Sequence, residues 1–166
     1  IFNTINPTVY ASRERPVPAK QNYAKKDLQD WARLSGLTIG SPTVFPVNSV
    51  KAMRGCLLLE PEGKLVPFAA EVFEAYWTRQ EDISQDAVLA ALRERVGVEP
   101  GRFFTGIATP EIKAALKANT DEVIARGGFG SPTIFVGGDD MYFGNDRLGL
   151  VRDAVRRRQL ALAAGE

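Results

Sequence analysis

The hydrophobic pattern divides this chain into a long helical part and a short part of mixed structure. Apolar residues recur every three or four positions over residues 21–36 and again, in five segments, over residues 48–128. This spacing is typical of helices that bury one face. Residues 1–19 and 37–46 are rich in proline and lack such a period, so they are predicted to be loops. The predicted N-caps of three later segments are Asn48 or Ser49, Ser84, and Thr109.

The spacing of apolar residues changes after Gly128. Residues 133–136 are β-branched or aromatic, residues 137–140 have turn composition, and residues 141–143 return as a second strand. The run Gly144-Asn145-Asp146 then caps a final amphipathic helix. The chain is therefore predicted to end in strand, strand and helix.

Composition excludes several kinds of chemistry. The chain has 166 residues, of which 45% are hydrophobic, and this indicates one compact domain or one domain with an insertion. Because there is no histidine, neither a Ser-His-Asp relay nor a histidine metal site can be built. The single cysteine, Cys56, excludes an internal disulfide and a CxxC pair, and this usage favours the cytoplasm. Since Cys56 lies in an apolar helix, we expect an inert thiol.

The charge balance argues against two classes of partner. The net charge is +1, which gives no electrostatic basis for binding nucleic acid or an anionic membrane surface. The longest nearly apolar stretch, residues 65–70, is far shorter than the ~20 residues that a membrane span needs. We therefore expect neither partner.

The strongest local signal for chemistry is Ser131-Pro132 at the start of the first predicted strand. The residues alone favour an ordinary trans proline that opens an edge strand. In the alternative, the bond is cis and the backbone of Ser131 turns outward, where its N–H and C=O could pair with an extended, peptide-like ligand.

A second signal lies at the start of the last helix. Free N–H groups at a helix start bind carboxylates, and Asn145 or Asp146 could add a contact to a ligand amine. Together they would suit the zwitterionic end of an amino acid. The alternative is simple N-capping, which is the more common role for either residue alone.

These two signals occur in one run, GGFGSPTIFVGGDDMYFGNDRL. The run resembles the C-terminal signature of the 2-hydroxychromene-2-carboxylate isomerases and the related kappa-class glutathione transferases. Residues 18–23 and 45–48 resemble further family segments upstream. The resemblance implies an α/β, thioredoxin-like fold with an all-helical insertion. Residues 1–47 and 127–166 would form the thioredoxin-like domain and residues 48–126 the insertion, while the N-terminal strand, helix and strand are expected to be missing from this chain.

The resemblance also implies roles for individual residues. Ser131 matches the residue before the family's cis-proline, and its backbone would pair with the cysteinyl part of glutathione. Pro132 matches that proline, and Asn145 and Asp146 would hold the γ-glutamyl end. Lys20 matches a lysine near a carboxylate of glutathione or substrate, or is a solvated helix-start residue. The family's catalytic serine lies before Ile1, so no catalytic residue is expected here and the chain is expected to be part of a longer one. A family asparagine at the active site is matched by Asn6.

The function that the resemblance implies is glutathione-dependent isomerisation of a small substrate from aromatic-compound breakdown, in a cytoplasmic homodimer. Two alternatives stay open: a kappa-like transferase or peroxidase, and a thiol-disulfide oxidoreductase whose CxxC precedes this chain. Among the aromatic residues, Tyr76 and Trp77 are predicted to belong to the core. Phe103 and Phe104 either belong to the core or line a substrate pocket.

Overall fold

The computed structural model describes residues 15–165, and these residues form two compact units. Residues 17–118 form the first, called here the helical unit, and residues 119–165 account for most of the second, called here the C-terminal unit. This division differs from the predicted domain boundaries at residues 47/48 and 126/127. Compactness does not show which segment is an insertion, so those boundaries remain a prediction.

The five helical segments predicted between residues 48 and 128 are all present. The helices of the helical unit are α1 Pro18–Leu34, α2 Val50–Leu59, α3 Leu65–Phe73, α4 Asp86–Arg95 and α5 Pro100–Ala108, and α6 Pro110–Ala125 begins there. A 3-10 turn, Glu60–Glu62, follows α2, and a π-helical turn, Glu74–Thr78, continues α3. Residues 37–46 form no strand, which agrees with the prediction of a loop.

Two helix starts in the helical unit differ from the prediction. The hydrophobic pattern placed the start of α1 at Gln21, but the helix begins at Pro18, because the fixed backbone angle of proline suits the first helical position. Ser84 was wrongly predicted as an N-cap. Its N–H and Oγ–H both donate to Asp82 Oδ1, at 3.0 and 2.7 Å, so the residue belongs to a turn and Gln85 takes the N-cap position.

The core of the helical unit is formed by apolar residues from α2 to α5. Tyr76 and Phe103 are buried in it, while Trp77 and Phe104 are half-buried against it. Phe103 is therefore a core residue, and the predicted core position of Tyr76 is confirmed. The buried members are Ala52, Leu59, Phe68, Val72, Ala75, Tyr76, Ile83, Leu89, Leu92, Val98, Phe103 and Ile107.

Two glycines allow α2 and α5 to approach closely. A Cβ atom at Gly55 of α2 would lie 2.7 Å from the Phe68 ring and 2.9 Å from the Phe103 ring. A Cβ atom at Gly106 of α5 would lie 2.7 Å from the Leu58 side chain. Phe103 of α5 therefore packs against the backbone of α2, and Leu58 of α2 packs against the backbone of α5. This reciprocal contact needs glycine at both positions.

The C-terminal unit contains the predicted hairpin and final helix. β1 Thr133–Val136 pairs antiparallel with β2 Asp140–Phe143, with Thr133 opposite Phe143 and Val136 opposite Asp140. A 3-10 turn, Asn145–Arg147, leads into α7 Leu148–Ala164. Side chains from β1 and α7 line a groove of about 320 Å³, among them Ile134, Val155 and Leu162. Within residues 15–165, no helix is long and apolar enough to span a membrane.

We predict that Gly55→Ala destabilises the protein by about 1–3 kcal/mol, because the added methyl group collides with two rings of a close-packed core. The matched control is Gly149→Ala in α7, where a Cβ atom would meet nothing within 4 Å. That change should leave the free energy of unfolding unchanged or raise it by up to about 1 kcal/mol. Urea unfolding measures both. Equal stability of the two variants would contradict the packing argument.

Candidate functional site

The two signal segments of the sequence lie side by side in the C-terminal unit. The N–H of Gly144 donates to the C=O of Pro132 at 3.1 Å, one step beyond the last strand pair, Thr133 and Phe143. The hairpin ladder therefore continues to the point where β1 begins and β2 ends. Ser131 and Asn145 each follow directly outside this hydrogen bond along the chain, so the ladder places both signals at one end of the hairpin.

The peptide bond between Ser131 and Pro132 is cis. This agrees with the resemblance and differs from the trans bond that the residues alone favour. Ser131 is exposed, and among residues 15–165 its backbone N–H and C=O have no hydrogen-bond partner. A polar backbone pair in this position can accept an extended peptide in the manner of an added strand.

Aromatic packing fixes the backbone that leads to Ser131. The rings of Phe129 and Phe143 lie 4.6 Å apart between centroids, and a Cβ atom at Gly130 would lie 2.5 Å from the Phe143 ring. The Phe143 ring thus rests directly on the backbone of Gly130. The hydroxyl of Thr133 also donates to the C=O of Gly130 at 2.7 Å, so the segment is held on both sides.

The turn after β2 presents two further polar groups. Gly144 has φ of 107° and ψ of 150°, which is a conformation for glycine alone. Asn145 and Asp146 follow in the 3-10 turn, and among residues 15–165 their N–H groups have no acceptor. The prediction that they cap α7 directly is corrected, since this turn intervenes and Arg147 takes the N-cap position of α7. Because the turn leaves both N–H groups free, it offers them to an anion.

Asp146 is half-exposed and forms an ion pair with Arg147 at 2.5 Å. The neighbouring guanidinium partly balances the carboxylate, and water reaches both groups, so a ligand amine can approach the carboxylate without a large desolvation cost. The end of the hairpin therefore combines an unpaired backbone segment, free N–H groups and a carboxylate. Chemically, this set matches an extended peptide with a zwitterionic terminus.

The two remaining predicted site residues are Lys20 and Asn6. Lys20 is exposed in the first turn of α1, which belongs to the helical unit. Asn6 lies outside the described residues. The structure therefore brings together Ser131, Pro132, Asn145 and Asp146, while the ligand contacts proposed for Lys20 and Asn6 remain predictions.

Cys56 does not have the properties of a reactive thiol. It is half-buried in α2 against the core of the helical unit, and this burial raises the pKa of the thiol. A raised pKa lowers the fraction of thiolate, the form that acts as a nucleophile. The expectation of an inert thiol agrees with this environment.

Sequence reasoning missed Arg126. Its guanidinium contacts the Phe135 ring and the hairpin turn. In the sequence it is a basic residue at a helix end, which is an ordinary complement to the helix dipole. Only the three-dimensional structure places the hairpin beneath it.

A family model for the DSBA-like thioredoxin domain matches residues 2–156. The chain belongs to this DsbA-like thioredoxin domain family. The match confirms the predicted class, an α/β fold of the thioredoxin type that is mostly helical and carries a small sheet. The described residues contain a sheet of two strands.

The relatives of this DsbA-like chain include proteins named as isomerases and proteins named as glutathione transferases. It is 31% identical over 145 residues to a 2-hydroxychromene-2-carboxylate isomerase of Pseudomonas putida, covering 86% of this chain and 69% of the relative. It is 32% identical over 148 residues to glutathione S-transferase kappa 1 of Homo sapiens, covering 81% of this chain and 66% of the relative. The resemblance seen in the sequence is confirmed by both similarities.

A solved structure of a 2-hydroxychromene-2-carboxylate isomerase has the same fold. The TM-score is 0.77 at 28% identity, with 89% of this chain and 71% of that chain covered. The DsbA-like chain spans 65% to 69% of the length of the curated relatives that it matches first. The activity of a whole relative is therefore carried over to this chain only as a proposal.

We predict that Gly144→Ala destabilises the protein by about 1–3 kcal/mol. Alanine is strained at this φ, and its methyl group would lie 2.6 Å from Asp146 Oδ1. Gly138→Ala, in the turn of the same hairpin, is the control, because a Cβ atom there meets nothing within 4 Å. Thermal unfolding of both variants checks this. A Gly144→Ala variant as stable as Gly138→Ala would show that the turn tolerates a side chain.

We predict that Cys56 in the folded protein reacts with a thiol reagent at pH 7–8 more slowly than a free cysteine. The raised pKa keeps more of the group as neutral thiol, so the rate should continue to rise with pH after a free cysteine is fully ionised. The measurement is the reaction rate against pH, and urea-unfolded protein is the control. A folded-state rate equal to the unfolded rate would contradict the effect of burial.

Proposed function

We propose that this protein is a glutathione-dependent isomerase of the 2-hydroxychromene-2-carboxylate isomerase type, acting on a small conjugated substrate from aromatic-compound breakdown. One observation carries the proposal: the hydrogen bond from Gly144 N–H to Pro132 C=O, which places the free backbone of Ser131 next to the turn of Asn145 and Asp146. Glutathione is a short peptide whose γ-glutamyl end is a zwitterion. The names of the relatives support the same assignment.

The residues present fit this ligand. The N–H and C=O of Ser131 would pair with the cysteinyl residue as a neighbouring strand does. The N–H groups of Asn145 and Asp146 would donate hydrogen bonds to the γ-glutamyl carboxylate, and the Asp146 carboxylate would accept hydrogen bonds from the amine. Bound glutathione would supply a thiolate that adds to a conjugated carbonyl compound and leaves again once the former double bond has rotated.

The role of this chain's own residues is therefore positioning. A tripeptide held at its backbone and at its γ-glutamyl end has few ways to turn its sulfur, so the sulfur is presented in one direction. Lys20 and Asn6 are proposed as further ligand contacts, and a homodimer in the cytoplasm is proposed as the working form.

A transferase or peroxidase is the second candidate, favoured by the similarity to glutathione S-transferase kappa 1. The same binding groups would serve both activities, because both need the same oriented sulfur. A disulfide oxidoreductase is a third candidate, which the DsbA-like family match favours. It would need a CxxC pair, and the single cysteine of this sequence, Cys56, cannot form one.

Titration of glutathione into the full-length protein tests the binding site. We expect the wild type to bind and Asp146→Ala to bind about 10- to 100-fold more weakly, because a charge-assisted hydrogen bond is lost. The control is Asp153→Ala, which removes another half-exposed carboxylate from an ion pair, that of Asp153 and Arg157 in α7. Its affinity should match that of the wild type. A wild type that binds no glutathione would refute the proposal.

Product analysis separates the reactions. An isomerase returns glutathione unchanged, so total glutathione stays constant while the conjugated substrate converts to its geometric isomer. A transferase consumes glutathione as a stable adduct, and a peroxidase converts it to its disulfide. Consumption in step with product would replace the isomerase assignment by one of these.

A further inference from the structure

Arg126 connects the end of α6 to the hairpin within the C-terminal unit. Its guanidinium carbon lies 3.7 Å from the centroid of the Phe135 ring in β1, an arrangement that attracts a cation to the ring. Its Nε donates to Asp139 Oδ1 at 3.3 Å, and one Nη donates to the C=O of Gly138. The other Nη donates to Glu122 Oε1 of α6 at 2.8 Å. Helix and hairpin are thus joined through one side chain.

The segment between these contacts is the one that carries Ser131. We call residues 127–132 the Ser131 loop. The chain leaves α6 at Arg126, runs through this loop and returns as β1, where Phe135 lies under the guanidinium of Arg126. The start of the loop is fixed by two backbone bonds, from Gly127 N–H to Ile124 C=O at 3.0 Å and from Gly128 N–H to Val123 C=O at 2.8 Å. Arg126 therefore closes the loop by binding the strand that follows it.

We infer that Arg126 is a positioning residue for the binding of glutathione, acting through the Ser131 loop. This inference rests on the proposed function for its ligand. Arg126 is only 26% exposed and already has three acceptors and a ring as partners, so it is not itself a free contact for a ligand. Its effect is to hold the backbone of Ser131 at a fixed place in relation to Asn145 and Asp146, which follow β2.

The planar shape of arginine is what this role requires. The guanidinium carbon lies over the Phe135 ring while the guanidinium N–H groups donate to Asp139, Gly138 and Glu122. A lysine ammonium has the same charge but no plane, and its flexible stem cannot keep all of these contacts together. Arg126→Lys therefore separates a positioning role from simple attraction of an anionic ligand by charge.

The test compares Arg126→Ala and Arg126→Lys with the wild-type full-length protein by calorimetric titration of glutathione and by amide hydrogen exchange. We expect both variants to bind glutathione more weakly, on the order of tenfold. We also expect faster exchange at Gly127, Gly128 and β1. Arg79→Ala in the helical unit is the matched control, because Arg79 is 24% exposed and also pairs with two carboxylates, and it should leave affinity and the exchange at these positions unchanged.

Each result decides the inference. A merely structural role lowers the melting temperature or the fraction of active protein and leaves the Kd of the folded molecules unchanged, so an unchanged Kd in Arg126→Ala overturns it. Wild-type affinity in Arg126→Lys shows that charge alone matters and also overturns it. If the wild type binds no glutathione, the proposed function fails, and exchange then decides separately: faster exchange in Arg126→Ala supports the positioning of the Ser131 loop, and unchanged exchange refutes it.

Discussion

The hydrogen bond from Gly144 N–H to Pro132 C=O is the constraint on which the candidate site depends. It is an ordinary ladder bond in geometry, but it joins the residue before the turn of Asn145 and Asp146 to the residue after Ser131. The bond can form only if the backbone on both sides is free of side-chain obstruction. Gly130 receives the Phe143 ring, and Gly144 adopts a φ of 107° that other residues avoid. Two glycines thus keep the backbone free of side chains on both sides of this hydrogen bond.

Much of this structure could be predicted from local sequence signals. Helical periodicity, proline and glycine predicted each of the helices from α2 to α6, and the change of period after Gly128 predicted the hairpin and α7. One error lies at a position where two local signals compete. Ser84 has the chemistry of an N-cap, yet Asp82 captures its N–H and hydroxyl first, so the helix begins later. Such a competition depends on the turn geometry and cannot be read from residue types.

The features that escaped prediction depend on contacts between different helices and strands. No sequence pattern links Arg126 to Phe135, because their contact exists only once the hairpin has packed against the end of α6. The reciprocal fit of Gly55 with Phe103 and of Gly106 with Leu58 is hidden for the same reason. From sequence alone, a glycine inside a helix is expected to destabilise the helix. Here each glycine makes room for a side chain of the neighbouring helix.

The architecture of the site also explains why relatives of one chain can have different names. If the proposed function holds, most contacts to the ligand come from backbone groups and from the Asp146 carboxylate, and a backbone contact persists through most side-chain substitutions. Such a site fixes where the sulfur of a peptide ligand lies but not which compound that sulfur attacks. Isomerase and transferase relatives, at 31% and 32% identity, can then share it. The choice of reaction would have to come from the groups around the sulfur and the second substrate, which this end of the hairpin does not supply.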